Sequence, residues 1–369
     1  MQRKLPGRSA RLGPVLALVL VYLLVAGAAF QGFYDKWGFR EGEPGFNAAL
    51  MLSGQAKRPF VYRRLGPWIA NAVGDHIPPA LVQKLKDHSV DLRGKSYIGP
   101  DFLLNSPNPY FIRYQALYYL CFLELFAALF MLRWLCLGVV GPAAATLAPA
   151  LFALLLPVLM TLGGFFYDTG ELLFLSAAAL FAVKRWRLAL LLATVLGTAN
   201  KESFLLFLPS LLPLLMIRST FRSAAITVAV LIATSAAIYL SIAEYYSGAG
   251  GNRMDSFLPA SLLFYVNPVK LFYVEKTYGV LLPRGYSLVW LGLLGGIGWA
   301  GWSGAPTAYR RHVLAILAIN VPFVIAFAYP GEMRNFSLTF VGWTVLAACA
   351  LQAWLKSQDG PAPAGALHS

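Results

Sequence analysis

Apolar runs of bilayer-crossing length recur along most of this chain and restrict it to one architecture. A hydrocarbon core about 30 Å thick needs roughly 20 apolar residues in helical form. Such runs fall near residues 12–30, 111–132, 138–162, 170–183, 188–199, 203–217, 223–245, 286–302, 313–329 and 336–355. They predict an all-α polytopic membrane protein with about ten transmembrane helices, and a single integral membrane domain over 1–369. Composition agrees, because 12% charged and 58% hydrophobic residues is about half the roughly 25% charge of a soluble domain.

Basic residues orient the spans. Arg3, Lys4, Arg8 and Arg11 precede the first run and place the N-terminus in the cytoplasm. A cleaved signal peptide ending at the small residues Ala26–Ala29 is the alternative reading of this start. With the N-terminus inside, 31–110 forms a large outer first loop and 246–285 a second outer loop. Lys184–Arg187 (KRWR), Arg218, Arg222 and Tyr309–His312 (YRRH) then all fall inside. The Pro-, Ala- and Gly-rich tail 357–369 reads as disordered and cytoplasmic. The net charge of +14 follows from this bias and from lipid headgroups, and no folded basic domain exists to make nucleic acid a partner.

The same topology puts every carboxylate except Glu124 and Asp359 on or near the outer side. Asp168 and Glu171, in GGFFYDTGELLFL, share a helix face at i and i+3 where a span begins. Interfacial capping against the positive helix end explains them without function. A functional reading comes from TANKESF, where Lys201 and Glu202 cap two apolar runs of about 12 and 15 residues. Runs that short suggest helices that stop early and line a cavity. Lys201 is placed to neutralise Asp168 or Glu171, or to bind a phosphate.

The first outer loop opens with FYDKWGF, which sets Asp35 just beyond the membrane edge. It continues through KRPFVYRRLGPWIANAV, where Lys57, Arg58, Arg63 and Arg64 alternate with Phe60, Tyr62 and Trp68. This segment suits a basic amphipathic helix resting on membrane lipids. Its arginines also suit a phosphate headgroup, because a guanidinium grips phosphate oxygens through paired hydrogen bonds.

An acid beyond the first span, a large outer first loop, uneven spans and a second polar outer loop together resemble the GT-C class of membrane glycosyltransferases. The resemblance implies transfer of a sugar from a polyprenyl-phosphate carrier, in polysaccharide or glycolipid synthesis at the outer face of a bacterial inner membrane. It implies Asp35 as catalytic base, although many members carry two adjacent acids there and Asp35 stands alone, with Glu41 and Glu43 further on. Transfer needs a carboxylate to take the acceptor's proton and cations to stabilise the departing phosphate. Arg63, Arg64, Lys201 and Arg334 are the outer-face cations for that role, with Glu202 beside them. Asp168 and Glu171 would orient the acceptor or hold Mg²⁺ or Mn²⁺, since no His or Cys cluster offers softer ligands.

His76, His88, His312 and His368 are scattered and read as loop or interfacial residues. Cys121, Cys136 and Cys349 fall within apolar runs, without the spacing of a disulfide framework or zinc site, and read as packing residues. No Gly-rich phosphate loop with its Lys-Ser/Thr is present, so an ATPase engine is excluded. The main rival is a secondary transporter or lipid flippase, for which charges at broken helices are equally expected. A mid-span relay would use Glu124, and neither an internal repeat nor acids on both faces accompany it. A non-catalytic assembly subunit is the third class, and it predicts no essential outer-face acid.

Overall fold

The computed structural model describes residues 8–91, 101–252 and 255–358. The chain opens with α1 (Arg8–Trp37), followed by short helices α2 (Ala48–Ser53), α3 (Leu65–His76), α4 (Pro79–Asp91) and α5 (Asp101–Leu104). The central helices are α6 (Asn108–Cys136), α7 (Pro142–Leu159), α8 (Tyr167–Lys184) and α9 (Arg187–Asn200). A broken run, α10 (Phe204–Phe207) and α11 (Leu212–Leu215) around a 3-10 turn, leads to α12 (Phe221–Tyr245). Then come α13 (Leu258–Tyr265), a hairpin of β1 (Val274–Thr277) and β2 (Val280–Pro283), α14 (Leu288–Trp302), α15 (Thr307–Phe327) and α16 (Ser337–Gln358).

Helix occupies all ten apolar runs, but six segments are long and apolar enough to cross a membrane: Leu12–Trp37, Asn108–Cys136, Pro142–Leu159, Phe221–Tyr245, Thr307–Phe327 and Met333–Gln358. α9 and α14 have only 14 and 15 residues, and α8 carries Asp168 and Glu171. The 203–217 run is interrupted because Pro209 and Pro213 supply no amide hydrogen and crowd the preceding turn. The antiparallel hairpin is the one departure from all-α structure among the described residues.

The surface of α1 identifies the surroundings. Leu12, Leu16, Leu20 and Leu24, spaced one turn apart, are 59, 57, 56 and 63% exposed, while Tyr22, Ala26, Ala29, Phe30 and Phe33 are buried. A water-facing helix presents polar residues on that side, so this is an integral membrane protein with lipid-facing leucines. Inside, α6 packs on α8, α3 and α7, and α16 packs on α7, α14 and α15. Cys121, Cys136 and Cys349 are free and buried within this packing.

Glycine sets the closest helix approach. A Cβ at Gly301 of α14 would overlap the carbonyl oxygen of Leu346 on α16, whereas one at Gly296 would meet nothing within 4 Å. Gly301→Ala is therefore expected to lower stability by about 1–3 kcal/mol through overpacking, and Gly296→Ala not at all. Unfolding midpoints of the two variants in detergent check this.

The bundle ends differ in charge. One end gathers the C-termini of α1 and α9, the N-termini of α6, α8 and α16, and nearly all described acids. The other carries Arg133, Lys184, Arg185, Arg187, Arg218, Arg222, Arg310, Arg311 and Lys356. The first loop at the acidic end is folded: α3 buries Leu65, Gly66, Pro67 and Ala70 and exposes Trp68, Ile69 and Val73, as an interfacial helix does. In the second loop, Lys36 pairs with Glu275 at 2.8 Å and the Tyr278 hydroxyl donates to Leu154 O at 2.9 Å, which fixes the hairpin over α1 and α7. Arg3, Lys4, Asp359, His368 and tail residues 359–369 lie outside the described residues.

Candidate functional site

Two glycines bring the site together. Between α7 and α8 the chain stays irregular through Met160–Phe166, and Leu162 adopts positive φ (58°). A Cβ at Gly164 would lie 2.7 Å from Phe33 Cε2, and one at Gly163 would lie 2.9 Å from Glu332 Oε1. Without side chains here, α1 and the Gly331–Phe336 segment approach the start of α8.

Asp168 and Glu171 are 4% and 1% exposed, so they are inside the bundle rather than at an open interface. Lys201, extended just past the end of α9, reaches both, at 3.3 Å to Asp168 Oδ1 and 2.6 Å to Glu171 Oε2. Their other oxygens are also engaged: Phe165 N–H donates to Asp168 Oδ2 at 2.9 Å and Ser203 Oγ to Glu171 Oε1 at 2.9 Å. Arg334 extends the network, with Nη1 3.4 Å from Asp168 Oδ1 and Nη2 3.1 Å from Glu332 Oε2. Its buried Nε has no hydrogen-bond partner among the described residues. Glu332 takes both Arg334 and Asn335 on Oε2, and Oε1 accepts no hydrogen bond among the described residues.

Arg63 holds Glu202 through two bonds, 2.8 and 3.2 Å, and donates to the Tyr167 hydroxyl. Asn200 Nδ2 donates to Tyr167 O at 2.8 Å and anchors that tyrosine from behind. Phe165 stacks on Tyr167 (centroids 5.1 Å, planes 12° apart) and packs against Phe60. Over this aromatic wall lie Arg334, 4.5 Å from the Phe165 centroid, and Arg63, 4.3 Å from that of Tyr167. Arg40 sits 5.1 Å from Phe165 and 4.9 Å from Trp37. Ring faces attract such cations most when water is excluded. The ion-paired group comprises Arg63, Lys201 and Arg334 against Asp168, Glu171, Glu202 and Glu332, while Arg40 pairs with Glu43 at 3.7 Å.

Burial pushes the Glu202 carboxyl up, but the Arg63 charge and its hydrogen bonds outweigh that and leave it below its ordinary value. A carboxyl depressed on folding contributes stability above its unfolded pKa of about 4.3 and loses it as pH falls through the lower folded value. The unfolding midpoint of wild type is thus expected to exceed that of Glu202→Gln at pH 7, and the gap to close as the pH is lowered below about 4. A constant gap would contradict the Arg63–Glu202 linkage.

The candidate residues do not all meet. Lys201, Asp168, Glu171 and Arg334 form one network, with Arg63 and Glu202 joined to it through Tyr167. Asp35 is exposed and hydrogen-bonded to Gln31 at 2.6 Å, on the face of α1 opposite Phe33 and Trp37. The expected cavity shared by Asp35, Asp168, Glu171 and Lys201 therefore does not form. Arg64 turns away from Arg63: Nη1 bonds Met51 O at 2.5 Å and its guanidinium lies over Tyr246. Glu124 is buried and accepts from Thr169 Oγ1 at 2.9 Å, and Arg133 bonds Thr146. His312 is neither loop nor interface but a buried α15 residue, with Nδ1 2.8 Å from Ser210 O.

For the expected Mg²⁺ or Mn²⁺, the described residues contain no group of three His, Cys, Asp or Glu arranged to hold a metal. Sequence reading missed Arg40, Phe165, Tyr167, Asn200 and Glu332. The available signals were the paired glycines before FFYD and the acid two residues before Arg334.

Fold and site define a helical integral membrane protein with a buried ionic and aromatic cluster at its acidic end. No protein-family model, curated protein or solved structure matches the chain.

Proposed function

We propose that the protein is a membrane glycosyltransferase that moves a sugar from a polyprenyl-phosphate carrier to an acceptor hydroxyl at the acidic end of the bundle. The observation that carries this reading is the junction at Met333–Arg334. Met333 lines an apolar groove of about 700 Å³ between α14, α15 and α16, and the next residue enters the charged cluster with an unpaired Nε. One segment thus joins a space for a lipid chain to a cation for its phosphate.

In this reaction the acceptor oxygen bonds to the sugar's anomeric carbon as the bond from that carbon to the phosphate oxygen breaks. The bond's electron pair leaves on the phosphate, and Arg334 stabilises that charge. Glu332 Oε1, the open carboxylate oxygen, takes the acceptor proton. Asp168 and Glu171 hold Lys201 and Arg334 in place, and the buried Phe165–Tyr167 stack lies against the Arg334 and Arg63 guanidiniums. The positive-inside bias orients the acidic end outward in a bacterial inner membrane through ten spans, with both termini cytoplasmic.

The test is transfer by the purified, reconstituted protein from a polyprenyl-phosphate-linked sugar. Arg334→Gln is expected to lose at least about 100-fold in transfer, the size of removing one preorganised donor to developing charge. Movement of the lipid-linked sugar across the vesicle without any product would instead support a flippase or secondary transporter.

A further inference from the structure

α14 carries five glycines in 15 residues, far more than helix formation favours. They fall on two faces, and each face opens a groove. Gly295 and Gly298 line the 700 Å³ groove beside α15. Gly292 and Gly296 line a second groove of about 760 Å³, closed by α7, the hairpin and the far end of α16. A Cβ at Gly292, Gly295 or Gly296 would meet nothing within 4 Å, so helix packing does not demand these glycines. Gly301, against Leu346, is the one that packing explains. Trp343 of α16 forms a floor common to both grooves, fixed by its Nε1 bond to Leu294 O at 2.9 Å. At 1.5 Å per residue the glycine-bearing stretch runs about 15 Å, a chain-length slot on either side of one helix.

The second groove ends at Tyr278 and Leu282 of the hairpin, and its mouth is basic. Arg284 follows β2 two residues beyond Leu282 of this groove, with Nη1 3.1 Å from the hydroxyl of Tyr286, which lines the first groove, and a buried Nε that has no partner among the described residues. Lys36 lies within electrostatic reach of Arg284. Lys270 precedes the hairpin and Lys276 lies in β1, and Glu275, already paired with Lys36, is the only acid in the segment 258–287. Val274, Val280 and Leu281 are exposed beside these cations, the composition of an element lying in the headgroup layer.

We infer that the protein holds two lipids at once, one on each side of α14, the second being an anionic amphiphile whose chain fills the hairpin-side groove and whose headgroup lies at Arg284. If the proposed transfer reaction stands, this makes the sugar acceptor itself a membrane lipid, presented beside the donor at the same end of the bundle. The two-lipid arrangement does not depend on that reaction.

The test is native mass spectrometry of the full chain in detergent, with a long polyprenyl phosphate and dioleoyl phosphatidylglycerol as probes. Wild type is expected to carry both in one complex. Gly296→Leu places a side chain in the hairpin-side groove, displaces about two methylenes of lipid, and should weaken phosphatidylglycerol about tenfold while sparing polyprenyl phosphate. Gly295→Leu should do the reverse. Leucine favours helix over glycine, and each variant's retained probe reports its folding. Arg284→Gln should abolish a wild-type preference for phosphatidylglycerol over phosphatidylcholine. Mutual exclusion of the two probes, loss of the same probe in both leucine variants, or equal binding of both phospholipids by wild type would overturn the inference. An intact two-lipid complex in a protein that yields no product from a polyprenyl-phosphate-linked sugar after reconstitution would overturn the transfer reaction and leave the two-lipid arrangement standing.

Discussion

Lys201→Met is expected to destabilise the protein by about 3–5 kcal/mol, the cost of stripping a buried ion group of its partner. Among the described residues Lys201 is the only cation that touches Glu171, and it shares Asp168 with Arg334. Methionine nearly matches lysine in length, so the loss is one of charge rather than packing. Adding Glu171→Gln should recover much of the loss, because Asp168 keeps Arg334 and an amide needs no counter-charge. Arg113→Met is the control: that arginine pairs with Asp75 at 2.6 Å, but both side chains are substantially exposed, and such a pair contributes about 0–1 kcal/mol. Unfolding midpoints in detergent separate these outcomes. Equal effects at Lys201 and Arg113 would mean that water reaches the Asp168–Glu171 pair and that the cluster is not an enclosed site.

The comparison of residues 168, 171 and 201 with residue 35 shows how far sequence reaches in a protein of this kind. The apolar runs located every helix of the bundle, because hydrocarbon tolerates no other pattern over that length. Asp168, Glu171 and Lys201 were legible as partners because a charge inside an apolar run must be compensated, and few compensating charges lie at the same level. Asp35 was misplaced for a different reason. The sequence places it in a loop opening after residue 30, whereas α1 runs on to Trp37 and carries it, so which way it points depends on helix phase, set by Phe33 and Trp37 packing at Gly164 on the opposite face. Glu332 and Arg40 were missed because loop residues carry no periodicity. Their roles come from long-range contacts, of Arg334 with Asp168 and of Arg40 with Phe165.

Glu332→Gln is expected to reduce sugar transfer by about 10²–10⁴-fold, the range for removing a general base, while Asp35→Asn leaves transfer within about twofold of wild type. The contrast follows from what each carboxylate faces. Glu332 has one oxygen held by Arg334 and Asn335 and the other without a hydrogen-bond partner among the described residues, and it adjoins Met333, which lines the apolar groove. Asp35 points outward from α1 toward Gln31. Glutamine at 332 keeps shape and can still accept from Arg334, so binding of a polyprenyl phosphate should be nearly unchanged and the loss should appear in turnover rather than in KM. Glu171→Gln separates a base from a positioning residue. Its loss should come with displaced Lys201, lower stability and weaker phosphate binding, which Glu332→Gln does not share. Full activity in Glu332→Gln together with a large loss in Asp35→Asn would return the base to the end of α1 and require the acceptor to approach from the Gln31 side of that helix, away from the cluster.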